Sequence, residues 1–222
     1  IPRLEIKDGN LIKGVRMEGL RVLSSNLKPV IKKYLNMSIK EIFIEDITTT
    51  LFNKKIDFKI IKALSSIIDI PVSYAGGIQN LSQINKLFNA GVDKIYINSA
   101  LKNNFDLINN SSEIYGSQSM GVVVQTKKIF DDWYIFFESG RIHSKIKLRD
   151  WLMRIDKSQA GEIIICSIMH DGMFNGPDYE LLDIIDSMNI SIPVIYSGGI
   201  RNIHDVRKIL KKKVNSVAIS HA

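Results

Sequence analysis

A (βα)8 barrel (TIM barrel) of the α/β class, made of two homologous half-barrels, is predicted by three features of this sequence. A glycine-centred segment occurs twice, short β-branched runs alternate with longer amphipathic ones, and the β-branched runs are apolar throughout. The repeat weighs most. Ile70-Pro71-Val72-Ser73-Tyr74-Ala75-Gly76-Gly77-Ile78 returns as Ile192-Pro193-Val194-Ile195-Tyr196-Ser197-Gly198-Gly199-Ile200. Each copy runs through a helical stretch into a second strand-like run, 92–98 and then 214–220. Glu41-Ile42-Phe43-Ile44 and Glu162-Ile163-Ile164-Ile165 pair at nearly the same spacing. A two-fold repeat implies two similar half-structures, about 1–118 and 119–222, within a single domain covering 1–222.

In chain order, strands are expected at 3–7, 41–46, 71–74, 94–98, 120–125, 162–166, 193–196 and 216–220. Helices are expected at 27–36, 58–67, 81–89, 107–114, 149–156, 179–188 and 203–211. The strand runs lack polar alternation, as parallel strands buried on both faces do. Strand–helix alternation argues for parallel crossover units. Eight such strands with an internal repeat fit a closed barrel better than an open doubly wound sheet, which is the alternative. Trp133-Tyr134-Ile135-Phe136-Phe137 followed by Glu138-Ser139-Gly140 reads as a hairpin added after the fifth strand. The sequence stops at Ala222, just after the eighth strand, so the last helix of a regular barrel is expected to be missing.

Composition narrows the function classes. With 222 residues and 45% hydrophobic content, the chain is long enough for one large core. No apolar run approaches the roughly 20 residues of a membrane helix, and the N-terminus lacks the zones of a signal peptide. The single cysteine, Cys166, excludes an internal disulfide framework and a cysteine-rich metal site, and a cytoplasmic location is expected. His143, His170, His204 and His221 show no metal-ligand spacing, so neither metal nor cofactor is expected. The net charge of +7 is scattered over helices, and aromatics do not interleave with it as on a base-stacking surface. A mild positive field that favours phosphorylated substrates, rather than nucleic acid or a membrane, is the better use of it.

In such a barrel the active site lies at the C-terminal ends of the strands. Gly76-Gly77 and Gly198-Gly199 end the third and seventh strands. Glycine there lets backbone N–H groups approach an anion, and the following helix start adds its positive dipole end. Asn98 and Ser99 end the fourth strand beside the first pair, while Asp171-Gly172 flanks the second. Two anion sites on opposite sides of one mouth imply a long substrate with a phosphate at each end. Between them, Glu5 and Gln125 are aimed into the mouth by the first and fifth strands. Glu5 suits proton transfer, whereas Gln125 cannot titrate. Alternatively, Glu5 pairs structurally with Lys7 or Lys127. Asp46 is placed to orient substrate or pair with a lysine, Asp171 is a further candidate acid, and Cys166 reads as packing.

These residues resemble the HisF family, the cyclase subunit of imidazole glycerol phosphate synthase. The resemblance rests on Ile1-Pro2-Arg3-Leu4-Glu5-Ile6-Lys7-Asp8-Gly9 with Lys13-Gly14, Asp46-Ile47-Thr48, Gly76-Gly77-Ile78 and Ile97-Asn98-Ser99-Ala100. Tyr115-Gly116-Ser117-Gln118, Ala160-Gly161-Glu162-Ile163, Asp171-Gly172 and Ser197-Gly198-Gly199 continue it, in order, over nearly the whole chain. It implies a barrel paired with a HisH-type glutaminase. Ammonia released there would cross the barrel core and react with a bisphosphorylated phosphoribulosyl-formimino nucleotide in histidine biosynthesis. By the same resemblance, Gly77, Asn98 and Ser99 would hold one phosphate. Asp171, Gly172, Gly199 and Ser220 would hold the other. Glu41, Lys94 and Glu162 would form the ammonia gate, whose further arginine would precede Ile1, and Asp93 would face the glutaminase.

The departures concern the chemistry. The family's two catalytic aspartates fall at Glu5 and Gln125. Met169, His170 and Met173 replace polar residues of the sixth loop, and His221 replaces a phosphate-binding serine. Glu5 and the phrase Glu18-Gly19-Leu20-Arg21-Val22-Leu23 resemble a second HisF-like group. That group implies the alternative of a barrel that supplies ammonia to a sugar amidotransferase in surface-polysaccharide synthesis.

Overall fold

The computed structural model describes residues 1–52 and 54–220. His221 therefore lies outside the described residues. The first half contains β1 (Arg3–Lys7), β2 (Asn10–Val15), β3 (Glu18–Ser24), α1 (Leu27–Leu35), β4 (Ile42–Asp46), α2 (Ile47–Leu51), α3 (Phe58–Ser65), β5 (Val72–Ala75), α4 (Leu81–Asn89), β6 (Lys94–Ile97) and α5 (Asp106–Tyr115). The second contains β7 (Met120–Ile129), β8 (Asp132–Phe137), β9 (Ile142–Lys147), α6 (Leu148–Asp156), β10 (Glu162–Ser167), α7 (Tyr179–Ser187), β11 (Val194–Ser197), α8 (Ile203–Ile209) and β12 (Ser216–Ala218).

Eight of these strands pair in parallel in the order β1-β4-β5-β6-β7-β10-β11-β12. The ring then closes. Pro2 bridges Ile219 in parallel, and the Arg3 N–H donates to the Ile219 carbonyl at 2.8 Å. That closure sets aside the open doubly wound sheet. The strands are apolar because both of their faces are buried. Outward residues such as Ile44, Ile95, Val122 and Ile163 meet Ile31, Ile84, Leu152 and Leu181 of the helices. Inward residues Phe43, Ala75, Tyr96, Val123, Ile164, Ile195 and Ala218 form a separate layer inside the ring. Gly121 makes room in that layer, since a Cβ there would stand 2.5 Å from the Tyr96 ring.

The repeat is visible bond by bond. Asp93 accepts the Val72 N–H at 2.8 Å, and Asn215 accepts the Val194 N–H at 2.9 Å. Asn80 caps α4 and Asn202 caps α8 through their side-chain oxygens. Each of these pairs is separated by the same stretch of sequence.

Three features depart from the sequence reading. Residues 10–24, left unassigned there, form β2 and β3, an antiparallel hairpin running off β1. β3 is largely solvent-facing, so it carries none of the apolar signal that betrayed the other strands. The short α2 also went unread, because its Thr48-Thr49-Thr50 run is β-branched and a poor helix former. Asp46 holds it in place by accepting from Thr48 N at 3.0 Å, Thr48 Oγ1 at 2.9 Å and Thr49 N at 3.1 Å, and thus acts as a helix cap rather than a lysine partner. The hairpin after the fifth strand is present as β8 and β9, with β7 extended to Ile129 to pair with β8.

Candidate active site

The C-terminal mouth of the barrel holds a buried ionic cluster. β1 alternates, so Arg3 and Glu5 both point inward. The β2–β3 hairpin folds back over β1 and brings Lys13 into the same space. The Lys13 ammonium donates to Glu5 Oε1 at 2.6 Å and to Ser220 Oγ at 2.7 Å, and lies 3.4 Å from Asp171. The Arg3 guanidinium donates to Glu45 Oε2 at 2.6 Å, to Asp171 Oδ1 at 3.1 Å and to Ser197 Oγ at 3.2 Å, and stands 3.6 Å from Glu5. Arg3, Lys13, Glu5, Glu45 and Asp171 are all buried. Two cations thus face three carboxylates, all five side chains buried, and removing either cation would leave carboxylates uncompensated away from solvent, a costly change.

Burial pushes the Glu5 carboxyl above its ordinary range; Arg3 and Lys13 oppose the shift and Asp171 adds to it. A carboxyl tuned upward in this way suits proton transfer near neutral pH. Arg3 is raised by Glu45 and its other anionic neighbours despite its burial, so it stays charged. Burial pushes the Cys166 thiol up to about 12, so it packs as a neutral group, in line with its reading from sequence.

The sequence pairing of Glu5 with Lys7 or Lys127 is corrected: its partners are Lys13 and Arg3. Lys13, Arg3 and Glu45 were missed as site residues. Arg3 at the alternate position to Glu5 on an apolar strand was a legible signal. Lys13 was not, because its approach depends on the unread hairpin.

Two glycine-floored clefts open on opposite sides of this cluster. One is lined by Gly76, Gly77, Asn98, Ser99, Glu45 and Gln125. A wider cleft of about 580 Å³ adjoins it between Thr50, Gly77, Ser99 and Glu138. The other is lined by Gly172, Gly198, Gly199 and Ser220, together with Phe174 and Ile200. Gly76 and Gly198 have φ of +126° and +123°, Gly77 and Gly199 +66° and +74°, so both turns share one left-handed shape that side chains resist. A Cβ at Gly199 would stand 2.1 Å from the Gly176 carbonyl. Asp171 takes its place in the ionic cluster, between the two clefts.

Gln125 faces the first cleft, but its Oε1 already accepts the Gly140 N–H at 2.9 Å. That bond is one of three by which the β8–β9 turn folds over the mouth. Glu138 N–H donates to Ser99 Oγ at 3.0 Å, and Ser139 Oγ donates to the Ile47 carbonyl at 3.2 Å. Glu138, Ser139 and Gly140 are consecutively left-handed, with φ of +52°, +55° and +80°, a strained run that these bonds hold in place.

At the other end of the barrel, Lys94 sits between two carboxylates, 2.6 Å from Glu162 and 3.9 Å from Glu41. Tyr96 O–H donates to Glu162 and Ser73 O–H donates to Glu41. The three residues grouped from sequence as a gate are thus one ring of charge.

The family model for the histidine biosynthesis protein matches residues 1–222. The chain is 37% identical over 211 residues to the imidazole glycerol phosphate synthase subunit HisF of Sulfolobus acidocaldarius, covering 95% of this chain and 84% of that protein. The chain belongs to the HisF family of histidine biosynthesis proteins. HisF of Natranaerobius thermophilus is 32% identical over 220 residues, 99% of this chain and 87% of the relative. HisF of Dictyoglomus thermophilum is 33% identical over 219 residues, 98% and 86%. Of the two readings of the sequence, these HisF relatives favour the cyclase subunit over a partner of a sugar amidotransferase. The family's role is an enzymatic one, of the cyclase and lyase kind.

Proposed function

We propose that this HisF-family chain is the cyclase subunit of an imidazole glycerol phosphate synthase. It uses ammonia from a HisH-type glutaminase on a bisphosphorylated phosphoribulosyl-formimino nucleotide. The observation that carries the reading is the mouth itself: two clefts of matching glycine geometry on either side of a buried, upward-tuned carboxyl at Glu5. Gly76, Gly77, Asn98 and Ser99 take one phosphate. Gly172, Gly198, Gly199 and Ser220 take the other, with Lys13 supplying positive charge beside Ser220. Glu5 transfers protons and Asp171 holds the two cations that set its charge. Gln125 contributes hydrogen bonding alone. The glutaminase docks at the opposite end of the barrel, where Glu41, Lys94 and Glu162 admit ammonia and Asp93 lies at the contact. We place the subunit in the cytoplasm, as a single domain with half-barrels at about 1–118 and 119–222.

The test is turnover of the phosphoribulosyl-formimino nucleotide by purified protein with excess ammonium salt at alkaline pH, followed by substrate absorbance. Turnover above a Glu5→Ala control is the expected result. Bound but unconverted substrate overturns the cyclase assignment.

A further inference from the structure

A carbonyl that takes up ammonia must see a proton leave nitrogen and another reach the departing oxygen, so a site with one titrating group is short of a second. Gln125 cannot be that group, and its carbonyl oxygen is occupied by Gly140. The cleft that Gln125 lines contains three other titratable side chains, Glu45, Asp46 and Tyr96. Asp46 holds the α2 cap through Oδ1 and is opposite Ile6, not Glu5, in the β1–β4 register. The Tyr96 hydroxyl points to the far end of the barrel, where it donates to Glu162. Glu45 remains.

We propose that Glu45 is the second proton-transfer group of this site, in place of the amide at Gln125. Three observations converge on it. Glu45 is directly opposite Glu5 in the β1–β4 register, so both carboxylates leave neighbouring strands at the same height. Arg3 spans the two, 2.6 Å from Glu45 Oε2 and 3.6 Å from Glu5 Oε1, so one cation faces both carboxylates. Glu45 Oε2 is committed to Arg3, while Oε1 has no protein partner among the described residues and Glu45 lines the cleft. As ammonia adds to the carbonyl carbon, a C–N bond forms and Glu45 takes one N–H proton. Glu45 passes that proton to the former carbonyl oxygen, giving a carbinolamine. Glu5 takes a second proton from nitrogen and hands it to the hydroxyl as the C–O bond breaks, so water leaves, the C=N bond forms and both carboxylates end as they began. The inference rests on the cyclase reading above.

The experiment compares Glu45→Gln and Glu45→Asp with the wild-type protein, using ammonium salt, the phosphoribulosyl-formimino nucleotide and a range of pH. The groups around Glu45 are Arg3 and Glu5 from β1, Lys13 from β2, Asp46 next to it, Tyr74 from β5, Tyr96 from β6, and Cys166 and Asp171 from β10 and the loop after it. Glu45→Gln is expected to lower kcat by roughly 10²–10⁴-fold with KM little changed, and to remove one limb of the kcat pH profile. Glu45→Asp keeps the charge but retracts it by a methylene, so it should lose roughly 100-fold in kcat and retain that limb. It also decides the matter if Glu45→Gln does not fold. A Glu45→Gln protein with the wild-type kcat and pH profile, a loss confined to KM, or Glu45→Asp with unchanged kcat overturns the assignment while the cyclase stands. A wild-type protein that turns nothing over removes the cyclase reading, and this one with it.

Discussion

Lys13 and Glu5 meet at 2.6 Å although they belong to different strands, because β2 doubles back antiparallel on β1 with Ile6 opposite Leu11 and Lys7 opposite Asn10. The contact makes the hairpin part of the site's electrostatics. Glu5 is raised by burial and pulled back by its cations, so the charge on Lys13 helps to set where Glu5 ionises.

Replacement by Lys13→Met is therefore expected to raise the Glu5 carboxyl further. Glu5 is then ionised over less of the pH range, and the acidic limb of kcat/KM moves to higher pH. Rates against pH with ammonium as nitrogen source measure the move. An unmoved limb with a lowered plateau would mean that Lys13 holds substrate instead of tuning Glu5.

Gly77 and Gly19 form a controlled pair. Both are left-handed, with φ of +66° and +59°, but a Cβ on Gly77 would stand 2.1 Å from Thr49 Cγ2, whereas at Gly19 nothing lies within 4 Å. Gly19→Ala should cost only the backbone strain, about 1–2 kcal/mol. Gly77→Ala should cost more, because buried Thr49 in α2 must move, and it should also raise KM by deforming the first cleft. Urea denaturation of the two variants gives the difference, and equal losses would show that α2 gives way freely.

Legibility followed what each residue has to satisfy. The paired glycines stood out because few other residues accept φ near +125°, and both turns need it. The barrel strands stood out because Ile42, Ile44, Ile163 and Ile165 fill one face and Phe43 and Ile164 the other. β3 faces water and left no pattern, and α2 is held by a cap that overrides its propensity. Glu5 was expected at the barrel mouth, where the structure places it, but its partners there were not expected. A partner such as Lys13 is chosen by the direction of a hairpin, and a local run of sequence does not encode that direction.

Asp205 anchors the turn after the second glycine pair. It accepts from Arg201 N at 3.0 Å and from the guanidinium at 2.8 Å through both of its oxygens, and these bonds hold its pKa down to about 2, against burial that raises it. A carboxyl lower in the folded than in the unfolded state stabilises the fold above its unfolded value of 3.8, and that contribution is lost as pH falls from there to about 2. Asp205→Asn should thus cost roughly 1–3 kcal/mol at pH 7. The gap between variant and wild type should close as pH falls through that window, as denaturant midpoints across acid pH would show. A gap independent of pH would assign the loss to packing around α8.

The ring of Lys94, Glu41 and Glu162 lies at the opposite end of the barrel from Glu5, with the apolar layer of Phe43, Tyr96 and Ile164 between them. Lys94→Gln removes the charge that holds two half-buried carboxylates together, and nothing in the mouth changes. Cyclisation driven by ammonium salt should be unaffected, since that nitrogen reaches the mouth from solution. Cyclisation driven by glutamine in the complex with a HisH-type glutaminase should fall, because the carboxylates are left to repel each other at the proposed entry for ammonia. Measuring both rates on one preparation separates the two roles. A parallel loss under both nitrogen sources would make the ring a stabilising feature of the barrel floor, while a loss with glutamine alone would make it the gate.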